Sequence, residues 1–343
     1  MSSFLERLVH TLFRGPAETV DEADRPLVDD AIEAFVETVE PRVRLRSGYR
    51  EKLAGPAART IAHLRDLGRV PLGPVLLSRA AWSEDPRVHA FFATADDVPD
   101  CLARHEELHR FLDEHPGCDE AYALLGMQRD DRQVFGPRLE GEVLRQDVAQ
   151  TTVSFSGHRL IAPSPDLAQA RLEVGRRILQ RLAQQVLEHI VALGREAQDL
   201  QQRQAMLGMR LRMLQRGRDG MQALVSDGAT VEQQIRDVEQ ELKQAAAGYA
   251  EAKGSLATLD GYIEQMNTVL NHPERHVTLQ QQWLRLNRMG VKVDPGSNEP
   301  ADDLELTELC LGEGLRATVT LVRIPRAALP PRQDWLAQAE RAL

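Results

Sequence analysis

The residues best spaced for chemistry lie in RHEELHRFLDEHPG, residues 104–117. His105 and His109 are four apart, so on a helix they would stand one turn apart on one face and could hold a Zn²⁺ ion between them. Glu106 would then sit beside the metal and deprotonate a bound water, and His115 is available as a third ligand. That reading is a zinc-dependent hydrolase with Glu106 as its catalytic base.

The spacing resembles the metal-binding motif of the zincin metalloproteases, and His115 falls where the metzincin branch places its third histidine. The likeness covers 11 residues, and its surroundings differ. Leu112 occupies the position of the metzincin glycine, Glu107 and Arg110 put charges between the histidines, and residues 1–96 show no substrate-binding strands. The competing reading is an amphipathic helix with Asp97 as its cap, Pro99 in its first turn, and Cys101, His105, Leu108 and Leu112 as its buried stripe. The flanking residues favour this second reading, in which no catalytic residue, metal or cofactor is expected.

Other chemistry is thin. Ser154, Ser156 and His158 stand together in SFSGH, but strand-forming residues on both sides make this a strand–turn–strand, not a nucleophile elbow. Gly312-Glu313-Gly314 reads as a hairpin turn, since no helix follows it. No phosphate loop, kinase signature or cysteine-nucleophile context is present.

A different kind of site is legible in AMLGMRLRMLQRGRDGM, residues 205–221. Met206, Met209, Met213 and Met221 are four of the chain's eight methionines, and Arg210, Arg212, Arg216 and Arg218 run among them. Methionine adapts to irregular surfaces, and a basic patch on an acidic chain makes a local positive site. The expectation is a docking surface for a protein partner or for a second copy. The run PRVRLRSGYREK, with Arg42, Arg44, Arg46, Arg50 and Lys52, reads instead as a solvated face paired with nearby carboxylates.

The formal net charge of -10 argues against a general nucleic-acid or anionic-membrane binder. Cys101, Cys118 and Cys310 are odd in number and widely spaced, which suits a reducing compartment. MSSFLERLVHTLFRG lacks the pattern of a signal peptide, and no apolar run reaches transmembrane length. A cytoplasmic setting is expected.

These residues must be positioned by elements that the patterning predicts. Residues 1–128 read as a helical domain: an amphipathic helix through Phe4, Leu8 and Phe13, a second from Asp24 carrying Val28, Ile32, Phe35 and Val39, another after the break at Gly55-Pro56, and two more near 98–115 and 119–128. Strand formers dominate from Val134 to Ile161, with a turn at Ser156-Gly157, and again from Leu304 to Ile324, so 129–164 and 288–330 are read as two parts of one small sheet. Between them, 165–287 carries heptads. Val231, Ile235, Val238, Leu242, Ala245, Tyr249, Ala252, Leu256, Leu259, Ile263, Met266 and Leu270 keep a strict 4-3 spacing, and Leu172 through Leu214 repeat every seven residues with a weaker second track at Arg176 and Gln204. Glycines at 217, 220 and 228 break the pattern, so the two arms should fold back as an antiparallel coiled-coil hairpin with its tip near 215–229. Residues 331–343 read as a short C-terminal helix. The fold class expected is α+β and predominantly helical, with the hairpin inserted between the halves of a discontinuous antiparallel sheet. The function expected is a non-catalytic cytoplasmic interaction or scaffolding protein whose hairpin presents the Met/Arg-rich end, with the zinc hydrolase as the alternative and nucleic-acid or membrane association third.

Overall fold

The computed structural model describes residues 25–140, 143–219, 228–312 and 314–330. The first amphipathic helix, Met221 with the rest of the hairpin turn, and the C-terminal helix of 331–343 lie outside the described residues. The fold is α+β and predominantly helical, with a discontinuous sheet whose parts flank a long helical insertion. The chain forms two compact units, one of Ile61–Ile178 with residues from Pro273 onward, the other of residues 25–60 with Leu179–His272. Residues 25–60 therefore group with the helical insertion, and 61–128 with the sheet. No described helix is long and apolar enough to cross a membrane.

In the second unit, helix α1 (Arg25–Val39) buries Val28, Ile32, Phe35 and Val39, the stripe its spacing predicts. Helix α2 (Tyr49–Leu67) runs straight through Pro56, where the sequence suggested a break. Proline in a helix costs about 3 kcal/mol through its lost N–H bond and ring clash. Buried Leu53, Ala57 and Thr60 offset that cost, and the Thr60 hydroxyl donates to the Leu270 carbonyl at 2.9 Å.

The long arm is helix α7 (Leu167–Asp219), 53 residues without interruption. The return is two helices, α8 (Gly228–Ser255) and α9 (Leu259–Leu270), rather than the single one the heptads suggest. Thr258 starts α9 as its cap, its hydroxyl accepting from the Gly261 amide at 3.2 Å. A Cβ at Gly261 would lie 2.0 Å from the Ser255 carbonyl oxygen, so only glycine lets α9 begin this close to the end of α8. The apolar repeat nevertheless continues across the break. All twelve of its positions from Val231 to Leu270 are buried or half-buried. Leu207, Val238 and Ala245 form a core with Leu200, Leu211, Leu214 and Leu242 packed around it, so α7 and α8 run antiparallel. Of the polar seam positions, Arg176 is exposed and pairs with Glu173, while the Gln204 amide donates to the Ala245 carbonyl at 3.0 Å.

In the first unit the sheet runs β3-β2-β6-β5-β4, antiparallel throughout, with β1 (Val75–Leu76) parallel to β6. Two long strands, β2 (Glu120–Glu140) and β3 (Val143–Ser164), form a hairpin, and β5 (Asp302–Leu311) and β6 (Leu315–Pro325) form another through the expected turn. Strand β4 (Val277–Leu286) lies within the range assigned from sequence to the helical hairpin, so the sheet begins earlier than expected. The predicted helix at 119–128 is also a strand, the start of β2. It sits between β3 and β6 with Ala121, Ala123, Leu125 and Met127 buried, and this central pairing overrides the helix preference of alanine and leucine. Ser156-Gly157 is a bulge inside β3 and not a turn. The register shifts there against Gly126 and Gln128, and Gly157 takes φ +63°.

Four short helices cover one sheet face: α3 (Ala81–Glu84), α4 (Pro86–Phe91), α5 (Asp97–Ala103) and α6 (Glu106–Glu114). Their Val88, Phe91, Leu102, Leu108 and Leu112 join Leu125, Leu304, Leu306 and Val322 of the strands in the main core.

Candidate functional site

The histidine motif is divided by a helix boundary. Helix α6 begins at Glu106, so His105 precedes it and the expected single helix near 98–115 is two. Each imidazole is held by a backbone carbonyl. His105 Nδ1 is 2.7 Å from the Cys101 oxygen, His109 Nε2 is 3.2 Å from that of Ala103, and His115 Nδ1 is 2.8 Å from that of Phe111, with the His115 ring stacked on Phe111. A carbonyl oxygen only accepts, so these three ring nitrogens carry their protons. His109, not His105, is the buried histidine of the stripe, and His105 is half-buried. Glu106 is exposed, and neighbouring Glu107 pairs with Arg177. Among the described residues, no three His, Cys, Asp or Glu side chains are placed to hold a metal ion.

The first histidine does meet the other motif. An open cleft of about 810 Å³ between α5, the start of α6 and the β3 bulge is lined by His105, Glu106, Cys101, Ser156 and His158. His158 stacks on Phe92 at 4.4 Å and directs Nε2 to the Phe91 carbonyl at 2.7 Å. Burial holds its pKa below the usual imidazole value, so it is neutral at pH 7. Burial also pushes the Cys101 thiol up to about 11, which keeps it protonated and a poor nucleophile. Neither Ser154 nor Ser156 bonds to an imidazole among the described residues. Among the described residues the cleft therefore combines backbone-anchored imidazoles with charged side chains such as Glu106, Arg104 and Arg159, and brings no nucleophile to a base. The meeting of two motifs about fifty residues apart has no local signal in the sequence; the strand register produces it.

The Met/Arg segment has a different geometry. Met206, Met209 and Met213 occupy the distal part of α7 at spacings of three and four, so they share one face. They are 67%, 53% and 74% exposed, while seam residue Leu207 is 7% exposed. At about 100° per residue the methionine stripe lies on the side away from Leu200, Leu207, Leu211 and Leu214. Arg210 flanks it on one side, and Arg212 and Arg216 on the other. These three arginines are exposed and have no carboxylate partner among the described residues. Arg203 pairs with Glu241 at 3.2 Å, and Arg218 is exposed near the end of the helix.

The first basic run is, by contrast, fully paired. Arg42 meets Glu40, Arg44 meets Glu33 and Glu37, Arg50 meets Glu33, and Arg46 and Lys52 share Asp260. It is a salt-bridged face and leaves no free cation for an anionic ligand.

Comparison with family models, with curated proteins and with solved structures gave no match for this chain.

Proposed function

We propose that this protein is a non-catalytic interaction protein, and that the distal part of its helical hairpin docks an acidic, apolar-faced surface of a protein partner. One observation carries the reading. Met206, Met209 and Met213 form an outward stripe that the hairpin itself does not use, and it is bordered by arginines without carboxylate partners among the described residues. Exposed methionines supply adaptable apolar contact, and the arginines add long-range attraction to a negative surface. The overall charge of -10 makes this local positive site selective, because the rest of the chain repels the same partners. A cytoplasmic setting belongs to the proposal and is supported by three free cysteines.

The test is affinity purification from the native cell with three forms: wild type, Arg210→Glu/Arg212→Glu/Arg216→Glu, and Met206→Ser/Met209→Ser/Met213→Ser. Both triple variants should keep the wild-type melting temperature and lose the same co-purifying protein. Retention of every partner by both would overturn the proposal.

A further inference from the structure

Strand β4 is an edge strand of the sheet, and the chain that follows it partly occupies its open side. After β4 the chain turns back, and residues 290–293 lie against that edge. The Val293 amide donates to the Arg285 carbonyl at 2.9 Å, and the Asn287 amide donates to that of Val291 at 3.0 Å. The other side of the same short segment is bonded to β3, with Val153 N–H on the Gly290 carbonyl at 2.7 Å and Lys292 N–H on that of Thr151 at 2.8 Å. Paired this way, Val291 and Lys292 form isolated bridges, Val291 to Thr152 of β3 and Lys292 to Leu286 of β4. The segment then leaves at Asp294-Pro295, because proline cannot donate to a ladder.

The remainder of the β4 edge is fixed by parity. In a strand, a residue's N–H and C=O point to one side and those of the next residue to the other. Arg285 and Asn287 bond outward to the returning segment, and at the opposite end the Val277 carbonyl bonds outward to His63 Nε2 at 2.7 Å. The odd-numbered residues between them, Leu279, Gln281 and Trp283, therefore present their backbone groups to the open side. None of these groups has a backbone partner among the described residues.

Nothing in β4 blunts this edge. Its register with β5 is unbroken from Val277 to Leu286, and it contains no proline, no lysine and no bulge. Trp283 stands on it 68% exposed. The adjoining surface is acidic on balance: Glu305 lies directly opposite Trp283 and accepts from the Gln281 side chain at 2.7 Å, and Asp302 and Asp303 are exposed at the end of the same pair of strands, with Asp303 paired to Arg285 at 4.0 Å.

We infer that the Leu279–Trp283 edge of β4 is a β-addition site for an extended basic segment of a partner protein, bound antiparallel to β4 beside Gly290–Val293. The backbone of Leu279, Gln281 and Trp283 supplies the hydrogen bonds, the indole and the carboxylates select lysine or arginine, and His63 and Val293 fix the length at about five residues. A second copy of β4 does not fit, because its ends would meet the segments that already cover Val277 and Arg285. This site is separate from the methionine stripe and stands or falls without it.

The probe is a blocked seven-residue peptide alternating lysine and valine, added to the full chain. Saturable binding should slow amide hydrogen exchange at Leu279, Gln281 and Trp283 about tenfold or more. Gln281→Pro removes an outward N–H, at an edge position where proline is tolerated, together with the side-chain bond to Glu305 Oε1 at 2.7 Å, and it should leave the fold intact and abolish that protection. A peptide N-methylated at alternate residues tests the same bonds from the ligand side, should that variant not fold, and should not bind. The glutamate–valine counterpart should also fail. The inference is overturned by absence of protection at millimolar peptide, by equal binding of the N-methylated or acidic peptide, or by undiminished binding to a folded Gln281→Pro.

Discussion

Lys292 Nζ lies 2.6 Å from the Asp131 carboxylate, joining the segment after β4 to strand β2 across 161 residues of sequence. Arg129 grips the same carboxylate from Nε at 2.7 Å and Nη2 at 2.9 Å. The two halves of the discontinuous sheet are thus tied by charge as well as by the Thr152–Val291 bridge.

This cluster predicts an acid-dependent loss of stability. The Arg129 hydrogen bonds first, and those of Lys292 after them, hold the Asp131 carboxyl down to about 2, against an ordinary 3.8. A carboxyl with a depressed folded pKa contributes fully above its unfolded value and loses that contribution as pH falls toward the folded one. Melting temperatures of wild type and Asp131→Asn should therefore differ most above pH 4 and converge toward pH 2. Parallel curves over that range would show that Asp131 carries no such linkage.

Gly290 is a second lever on the same junction. It takes φ +71°, and an added Cβ would lie 2.8 Å from the Val153 carbonyl oxygen. Gly290→Ala should cost about 1–3 kcal/mol in denaturant unfolding. Gly296→Ala, where a Cβ meets nothing within 4 Å, is the matched control and should be close to neutral.

The seam and the stripe of α7 separate by substitution. Leu207→Ala empties part of the core it forms with Val238 and Ala245 and should cost about 2–3 kcal/mol. Met209→Ala, two residues on and 53% exposed, should change stability by no more than about 0.5 kcal/mol. Equal losses in urea titrations would mean that the methionines pack within the hairpin after all.

The histidines give an ordering that the sequence pattern reverses. His109→Ala removes a buried ring and leaves the Ala103 carbonyl unpaired, at a cost of about 2 kcal/mol. His105→Ala, at a half-exposed position, should cost less. Thermal unfolding of the two variants measures the order directly, and the opposite ranking would place the start of α6 before His105.

Periodicity determined the largest features of this protein. The 4-3 spacing from Val231 to Leu270 and the sevenfold leucines of α7 require a helical hairpin, because an apolar stripe that long must be buried and each arm offers the other its cover. The strand-rich stretches on either side had to pair with each other, since neither is stable alone. The stripe of α1 and the pairing of Arg42, Arg44 and Arg50 with Glu33, Glu37 and Glu40 are local in the same sense, whereas Arg46 and Lys52 find Asp260 only through the fold.

Tertiary structure decided what local pattern leaves open. Glu120–Met127 could form a helix or a strand, and became a strand because β3 and β6 pair with it on both sides. Ser156-Gly157 could turn the chain or bulge it, and the register against Gly126 and Gln128 made it a bulge, which brings His158 into the cleft with His105. RHEELHRFLDEHPG kept the spacing of a metal motif, but the end of α5 and the start of α6 gave each ring to a different carbonyl. Spacing fixes which residues can face one way along a single element. Which partner they meet depends on pairings and helix ends set by burial elsewhere in the chain.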